Sequence, residues 1–289
     1  MWKKMLASGA AVLALGLFAD FGDCSGIPIV NACEEGNASL STPGGIPYSR
    51  PLAYSSRENH EMLYDESGHK LLMDAFTYEV QLDGSSAVDH PRLQQSLKKL
   101  SGQNLDDLKN MVNDCRSGLI EEYELGKANG LYADDTVVPF AYEHDFQGLR
   151  VDTAVCSFAA MEYIYMGGAH PGHYYITHSF DTKSGRELKL SDIFKTKEGL
   201  AEIIATETKK QMGERVEMLD YNTMVGEIQQ MLDDNTLAFG LDNDGMIVFF
   251  SDYDIGPYVI GTMEINIPYT KYFELFQPKY IFYGERPRG

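Results

Sequence analysis

Met166-Gly167-Gly168-Ala169-His170-Pro171-Gly172-His173 runs straight into Tyr174-Tyr175-Ile176-Thr177-His178-Ser179-Phe180-Asp181, and the reading of this stretch decides the fold. Three glycines and a proline specify a tight loop. A polar-aromatic strand follows. Three of the seven histidines lie here, which invites a metal centre. Side chains alternate faces along a strand, so His173, Tyr175, Thr177 and Ser179 point one way, while Tyr174, Ile176, His178 and Phe180 point the other. His173 and His178 cannot converge without a bulge. Only His170 and His173 can share a site, and two ligands are too few for zinc. No metal is therefore expected; the glycines turn the chain and His170 packs or hydrogen-bonds locally.

Outward from this stretch the chain alternates strands and helices. Upstream, 51–82 reads as a hairpin turning at Asp65-Glu66-Ser67-Gly68, with Phe76, Tyr78 and Val80 sharing one face of its second arm. A short helix is expected from Pro91 to Leu100, and a longer one from Asn104, with a stripe of Leu105, Leu108, Met111, Val112, Cys115, Leu119 and Tyr123. Residues 136–144 and 149–165 read as strands around a turn at 145–148. Downstream come helices over 197–216 and 222–232, a hairpin turning at 242–245, a strand over 262–269 and a short helix over 271–276. Strands joined by short polar turns predict antiparallel sheets with helices packed on one side, an α+β fold rather than βαβ winding. The expected divisions are a signal peptide (1–19), a flexible leader (20–48), an N-terminal α+β unit (49–160), a C-terminal unit (161–276) and an exposed tail (277–289).

Trp2-Lys3-Lys4 before an apolar run from Met5 to Phe18 has the form of a secretory signal, too short to span a bilayer comfortably. Cleavage is expected after Ala19, giving a secreted or periplasmic protein. Lipidation at Cys24 is the weaker reading because Asp23 stands where a small residue is required. No later run is apolar enough for a transmembrane helix in the mature chain. Removing Lys3 and Lys4 with the signal takes the net charge from −19 to −21. Such a chain repels nucleic acid and attracts cationic partners. Four cysteines in an exported chain favour disulfides. Cys24–Cys33 with Cys115–Cys156 is the pairing carried forward out of three, and the alternative is that Cys115 and Cys156 are buried thiols.

Catalytic patterns are missing. Asp242-Asn243-Asp244-Gly245 lacks the flanking carboxylates of a calcium loop, since Gly240 and Ser251 would stand where acids are needed. No serine has the G-x-S-x-G context, and there is no phosphate-binding loop. Asp252 and Asp254 flank Tyr253 and read first as turn or capping residues. The expectation is a non-enzyme without cofactors.

Gly167-Gly168-Ala169-His170, the strand ending at Asp181 and Ser184-Gly185-Arg186-Glu187-Leu188-Lys189-Leu190-Ser191-Asp192-Ile193-Phe194 resemble a known family. So do Asp244 to Phe250, Tyr253-Asp254-Ile255-Gly256-Pro257-Tyr258, Gly261 and Ile265 to Tyr269. It is the domain of unknown function in the extracellular part of the RsiV anti-sigma factor and beside the deacetylase of PdaC. Residues 70–160 resemble the partner domain that usually precedes it. The resemblance implies cell-envelope recognition, with lysozyme or peptidoglycan as ligand; a cell-wall glycan hydrolase and a structural envelope assembly factor are the alternatives. Sigma-factor control and deacetylation do not carry over, because neither of those parts is matched. The residues marked for ligand binding are Gly167, Gly168, His170, His173, Tyr253, Asp254 and Tyr258.

Overall fold

The computed structural model describes residues 48–130 and 138–284. The expected signal segment, the leader up to residue 47, Cys24, Cys33 and the last five residues lie outside them. In chain order the elements are β1 (Tyr54–Tyr64), β2 (Leu71–Leu82), α1 (Gly84–Asp89), α2 (Pro91–Ala128), β3 (Phe140–Val151), β4 (Val155–Tyr165) and β5 (Gly172–Asp181). They continue with α3 (Leu190–Ile193), α4 (Leu200–Met212), α5 (Tyr221–Asp234), β6 (Ala238–Leu241), β7 (Gly245–Phe250), β8 (Met263–Pro268) and α6 (Tyr269–Tyr272). Strands β1 to β5 form one sheet in sequence order, and β6-β7-β8 form a second. The expected α+β class is observed. Every pairing is antiparallel except β2 with β3, which run parallel over Met73–Phe76 and Phe140–Glu143. A parallel pair needs a crossover, and α1 with α2 supplies it.

The two helices expected between 91 and 123 are one helix of 38 residues. Asn104, read as the start of the second helix, and Ser101, in the gap before it, serve the sheet instead. Among the described residues no strand continues past Phe76 along the edge of β2 that faces β3, and its backbone groups there need other partners. Gln94 Oε1 accepts the Leu82 amide at 2.8 Å, Ser101 Oγ accepts the Val80 amide at 2.9 Å, and Asn104 Nδ2 donates to the Tyr78 carbonyl at 3.3 Å. Spacings of seven and three put these polar groups on one helix face. They sit among Leu93, Leu97, Leu100 and Leu108, all buried.

Further expectations are corrected in the same region. The turn expected at 145–148 lies inside β3. The chain reverses instead at Asp152-Thr153-Ala154, where Asp152 Oδ1 accepts the amides of Ala154 (2.7 Å) and Val155 (2.8 Å). On β2, Tyr78 and Val80 are buried as expected, but Phe76 is only half-buried, whereas Thr77 is sealed and bonded to His144 Nδ1 at 2.9 Å. Burial therefore changes parity at Thr77/Tyr78, where the pairing with β3 ends. The division expected after residue 160 falls within β4, which is one uninterrupted strand. Cys115 and Cys156 are free thiols. Cys156 packs with Phe158 and Leu93, whereas Cys115 packs with Leu108, Val112 and Leu72 further along α2. Burial, with Asp152 nearby, pushes the Cys156 thiol up to about 12.

The second sheet carries α4 and α5, with Ile204, Ile228 and Leu232 meeting Val248, Phe250, Ile265 and Ile267 in the largest core. Its edge abuts the first sheet through hydroxyls. Thr177 Oγ1 accepts the Phe239 amide at 3.1 Å, and Ser157 Oγ accepts the Leu241 amide at 2.9 Å.

Arg150, whose side chain is fully buried, joins the parts. Its Nε donates to Asp152 Oδ2 at 2.6 Å, Nη1 to the Tyr280 carbonyl at 2.6 Å and the Tyr269 hydroxyl at 3.4 Å, and Nη2 to Ser49 Oγ at 3.3 Å. The Phe282 ring lies 5.2 Å away. The tail expected to be exposed is therefore anchored as far as it is described: Tyr280 and Ile281 are buried, Lys279 pairs with Asp181, and the Tyr283 carbonyl accepts the Ser49 amide.

Arg150→Ala is expected to destabilise the protein by about 3–5 kcal/mol, because it strands a buried carboxylate and a carbonyl. Urea unfolding will show a lower midpoint at unchanged slope. A second test concerns Glu207 on α4, a sealed carboxylate bonded to Lys271 Nζ (2.5 Å), the Tyr272 hydroxyl (2.8 Å) and Gln211 Nε2 (3.1 Å). Burial alone raises its pKa, but these donors outweigh it and hold it at about 2. A depressed carboxylate stabilises the fold above its unfolded value near 4.5 and loses that contribution as the pH falls toward 2. Screening at the half-exposed Lys271 leaves a contribution of the order of 1–2 kcal/mol. Unfolding free energies measured from about pH 5 to 2.5 will fall, and less steeply in Glu207→Gln.

Candidate functional site

The loop between β4 and β5 and the loop after β7 meet at one end of the first sheet. Gly167 and Gly168 have φ of +80° and +106°, which only glycine adopts without strain, and they swing His170 back over the second loop. His170 stacks on Tyr258, with centroids 3.8 Å apart and planes 20° from parallel. Its Nδ1 lies 2.9 Å from the Pro171 carbonyl, which can only accept, so the proton sits on Nδ1. That leaves Nε2 to accept from the Tyr253 hydroxyl at 3.4 Å.

His173 is held harder. Asp252 Oδ2 accepts both its backbone amide and its Nδ1, each at 2.9 Å, while the Asp252 amide donates to the His173 carbonyl at 3.0 Å. The Asp252 carboxylate is only 2% exposed. A buried carboxylate on Nδ1 fixes the tautomer and leaves Nε2 as the outward nitrogen. The ring meets Tyr163 edge-on at 5.4 Å and lies 6.5 Å from Tyr258. Tyr174 covers Gly172 closely: a Cβ there would sit 2.9 Å from its ring. Burial first, then Asp252, raises the pKa of the Tyr174 and Tyr258 hydroxyls.

Tyr253 is the outlier. Its φ is +70°, a region disfavoured for a bulky residue, yet its side chain is exposed and packs 5.8 Å from Tyr258. Residues held this way cluster where a surface is shaped for a ligand. Asp254 turns into its own loop: its Oδ2 accepts the Ser251 amide at 2.7 Å, and burial raises its pKa.

Six of the seven residues marked from sequence thus sit on one rim, Asp254 supporting it from behind. Asp252, a turn residue by its sequence context, is the centre of the hydrogen bonding. Tyr163 escapes sequence reasoning; its only signal is strand register, which sets it opposite His173, while Tyr174 alternates to the other face. The same bulge-free register puts His178 on the other face, bonded to Glu187 at 2.7 Å. A further chain of hydroxyl, imidazole and carboxylate, Thr77–His144–Glu162, is a structural network, because Thr77 is sealed from any substrate.

Tyr253→Gly is expected to leave folding stability unchanged or to raise it by up to about 1 kcal/mol, since relief of the backbone strain offsets the missing ring packing. Thermal unfolding of the variant beside the parent protein reads this directly.

Residues 191–270 match the family described as "Protein of unknown function (DUF3298)". Asp252, Tyr253 and Tyr258 lie within the match; His170 and His173 precede it. No curated protein matches the chain. A member of the DUF3298 family from Bacteroides fragilis is 19% identical over 79% of this chain and 94% of its own, with a TM-score of 0.57. A DUF3298 family protein from Pseudomonas aeruginosa is 14% identical over 82% of this chain and 99% of its own, with a TM-score of 0.49. The chain is therefore similar in fold to the Bacteroides protein over most of its length, and carries the pattern of DUF3298 in residues 191–270.

Proposed function

We propose that the protein is an exported cell-envelope binding protein that acts without catalysis and takes a cationic partner on the tyrosine–histidine rim. Lysozyme is the first ligand to consider and peptidoglycan the second, as the resemblance to the RsiV ectodomain implies. The observation that carries this reading is the composition of the rim. Tyr163, Tyr253 and Tyr258 gather around His173 and Asp252, and among the described residues no lysine or arginine makes a hydrogen bond or cation–π contact to them. Tyrosine faces beside a carboxylate attract an ammonium or guanidinium group, and tyrosines are frequent anchors of protein interfaces. The net charge of −19 adds long-range attraction for a basic protein.

Titration calorimetry of the mature protein against lysozyme and against purified sacculi tests the proposal. Binding that weakens as salt rises from about 50 to 300 mM is expected, and Tyr258→Ala should lose about 2 kcal/mol, or roughly thirtyfold in affinity. No binding to either ligand at low salt removes the proposal. A second reading, a glycan hydrolase, draws on one feature: the Asp252-oriented His173 has the geometry of a general base. Turnover of muropeptides that disappears in His173→Ala would establish it.

A further inference from the structure

A straight row of side chains crosses the whole first sheet. The register places His60 opposite Phe76, Phe76 beside Glu143, Glu143 opposite Tyr163 and Tyr163 opposite His173. This row lies on the face away from α2. Helix α2 covers Met73, Ala75 and Tyr142, the neighbours of opposite parity. Among the described residues the second sheet makes its main contacts with β3, β4 and β5, and the first two strands leave this face open. Phe76, Glu143 and Tyr163 are half-buried there, while His60 and Asp145 stand exposed.

The face is acidic and largely unneutralised. Burial, then Asp145 and Asp74, raise the pKa of Glu143; burial, then Glu58, raise that of Asp145. His60 approaches Asp74 Oδ1 at 3.8 Å and Glu58 at 3.5 Å. The basic group next along β1, Arg57, is taken by Glu79 at 2.6 Å. Independently of charge, Asp74 Oδ1 is shielded from solvent without a hydrogen-bond partner, a costly state for a surface strand.

We propose that this open sheet face, along the row His60–Phe76–Glu143–Tyr163, is the docking surface for a basic segment of a protein partner, and that the rim at His173 is its far end. Carboxylates spaced across the strands, with aromatic faces between them, match lysine or arginine side chains carried on an extended or helical segment. A second copy of this acidic chain would be repelled, and so would an anionic lipid surface. The inference rests on the reading that the partner is cationic, and it adds where such a partner lies.

The test uses the mature protein with a decalysine peptide as probe and decaglutamate as control, followed by amide chemical shifts. Decalysine is expected to move amides of β1, β2 and β3 around His60, Phe76 and Glu143. Glu143→Gln with Asp145→Asn should weaken it at least tenfold and leave thermal stability unchanged or higher, because like charges are removed. Shifts confined to residues 170–173 and 252–258 would overturn the face while leaving the rim, and the cationic partner, in place. Shifts spread evenly over the surface, or equal affinity in the double variant, would overturn it as well. Failure of lysozyme and sacculi to bind, with decalysine still seated on the row, would instead remove the proposed ligands and keep the surface.

Discussion

The buried guanidinium of Arg150 is the constraint on which the remaining architecture depends. A charge sealed from water is tolerated only when it is paired and its donors are satisfied, and the groups that satisfy this one come from distant parts of the chain. Ser49 precedes the first strand, Asp152 makes the reversal between β3 and β4, and Tyr269 and Tyr280 follow the last strand. Each partner therefore fixes a different segment relative to the first sheet. Asp152 performs two tasks, since one oxygen meets Arg150 and the other caps the turn. Losing the pair would disturb the turn that sets the register of β4, and through β4 the position of Tyr163 opposite His173.

Helix α2 solves a related accounting problem on the other side of the sheet. The strand β2 leaves its partner β3 after four paired residues, which would expose backbone groups inside an apolar layer. Side chains at Gln94, Ser101 and Asn104 take the place of the missing strand. A helix unbroken from Pro91 to Ala128 can thus cross two core clusters, and it also makes the parallel β2–β3 pairing feasible. Covering one face of the sheet so completely is what leaves the opposite face free.

Local chemistry is legible in the sequence and long-range use of polar groups is not. The hairpins at 54–82 and 238–250, the helices near 200–212 and 221–234 and the loop with two left-handed glycines follow from turn residues and periodicity. The misreadings share a cause. Ser101 and Asn104 look like a helix boundary because such residues commonly cap helices, and nothing local reveals that their partner is Val80 or Tyr78. Phe146-Gln147-Gly148 looks like a turn because Gly148 is small, whereas it lies in a strand under Tyr54. The tail looks free because its last residues are charged, yet a carbonyl at Tyr280 is needed by an arginine 130 residues earlier. Within the site, Tyr253 and Tyr258 are visible as motif residues, while Asp252 gains its meaning only from the pairing that brings His173 beside it.

The rim also shows why its histidines differ although they are three residues apart. His173 is built into the fold: its backbone and ring share one buried carboxylate, and two further rings border it. His170 is held by a stack and a long hydrogen bond at the surface, on a loop whose glycines permit movement. A rigid inner residue with a compliant outer one is the arrangement that lets a surface close on a ligand without rebuilding its base. The strained backbone at Tyr253 belongs to the compliant layer, because a bound ring or cation on Tyr253 and Tyr258 would add contacts that the free protein lacks. The free protein already carries the backbone strain at Tyr253, so in the proposed binding mode only the His170 loop is left to adjust.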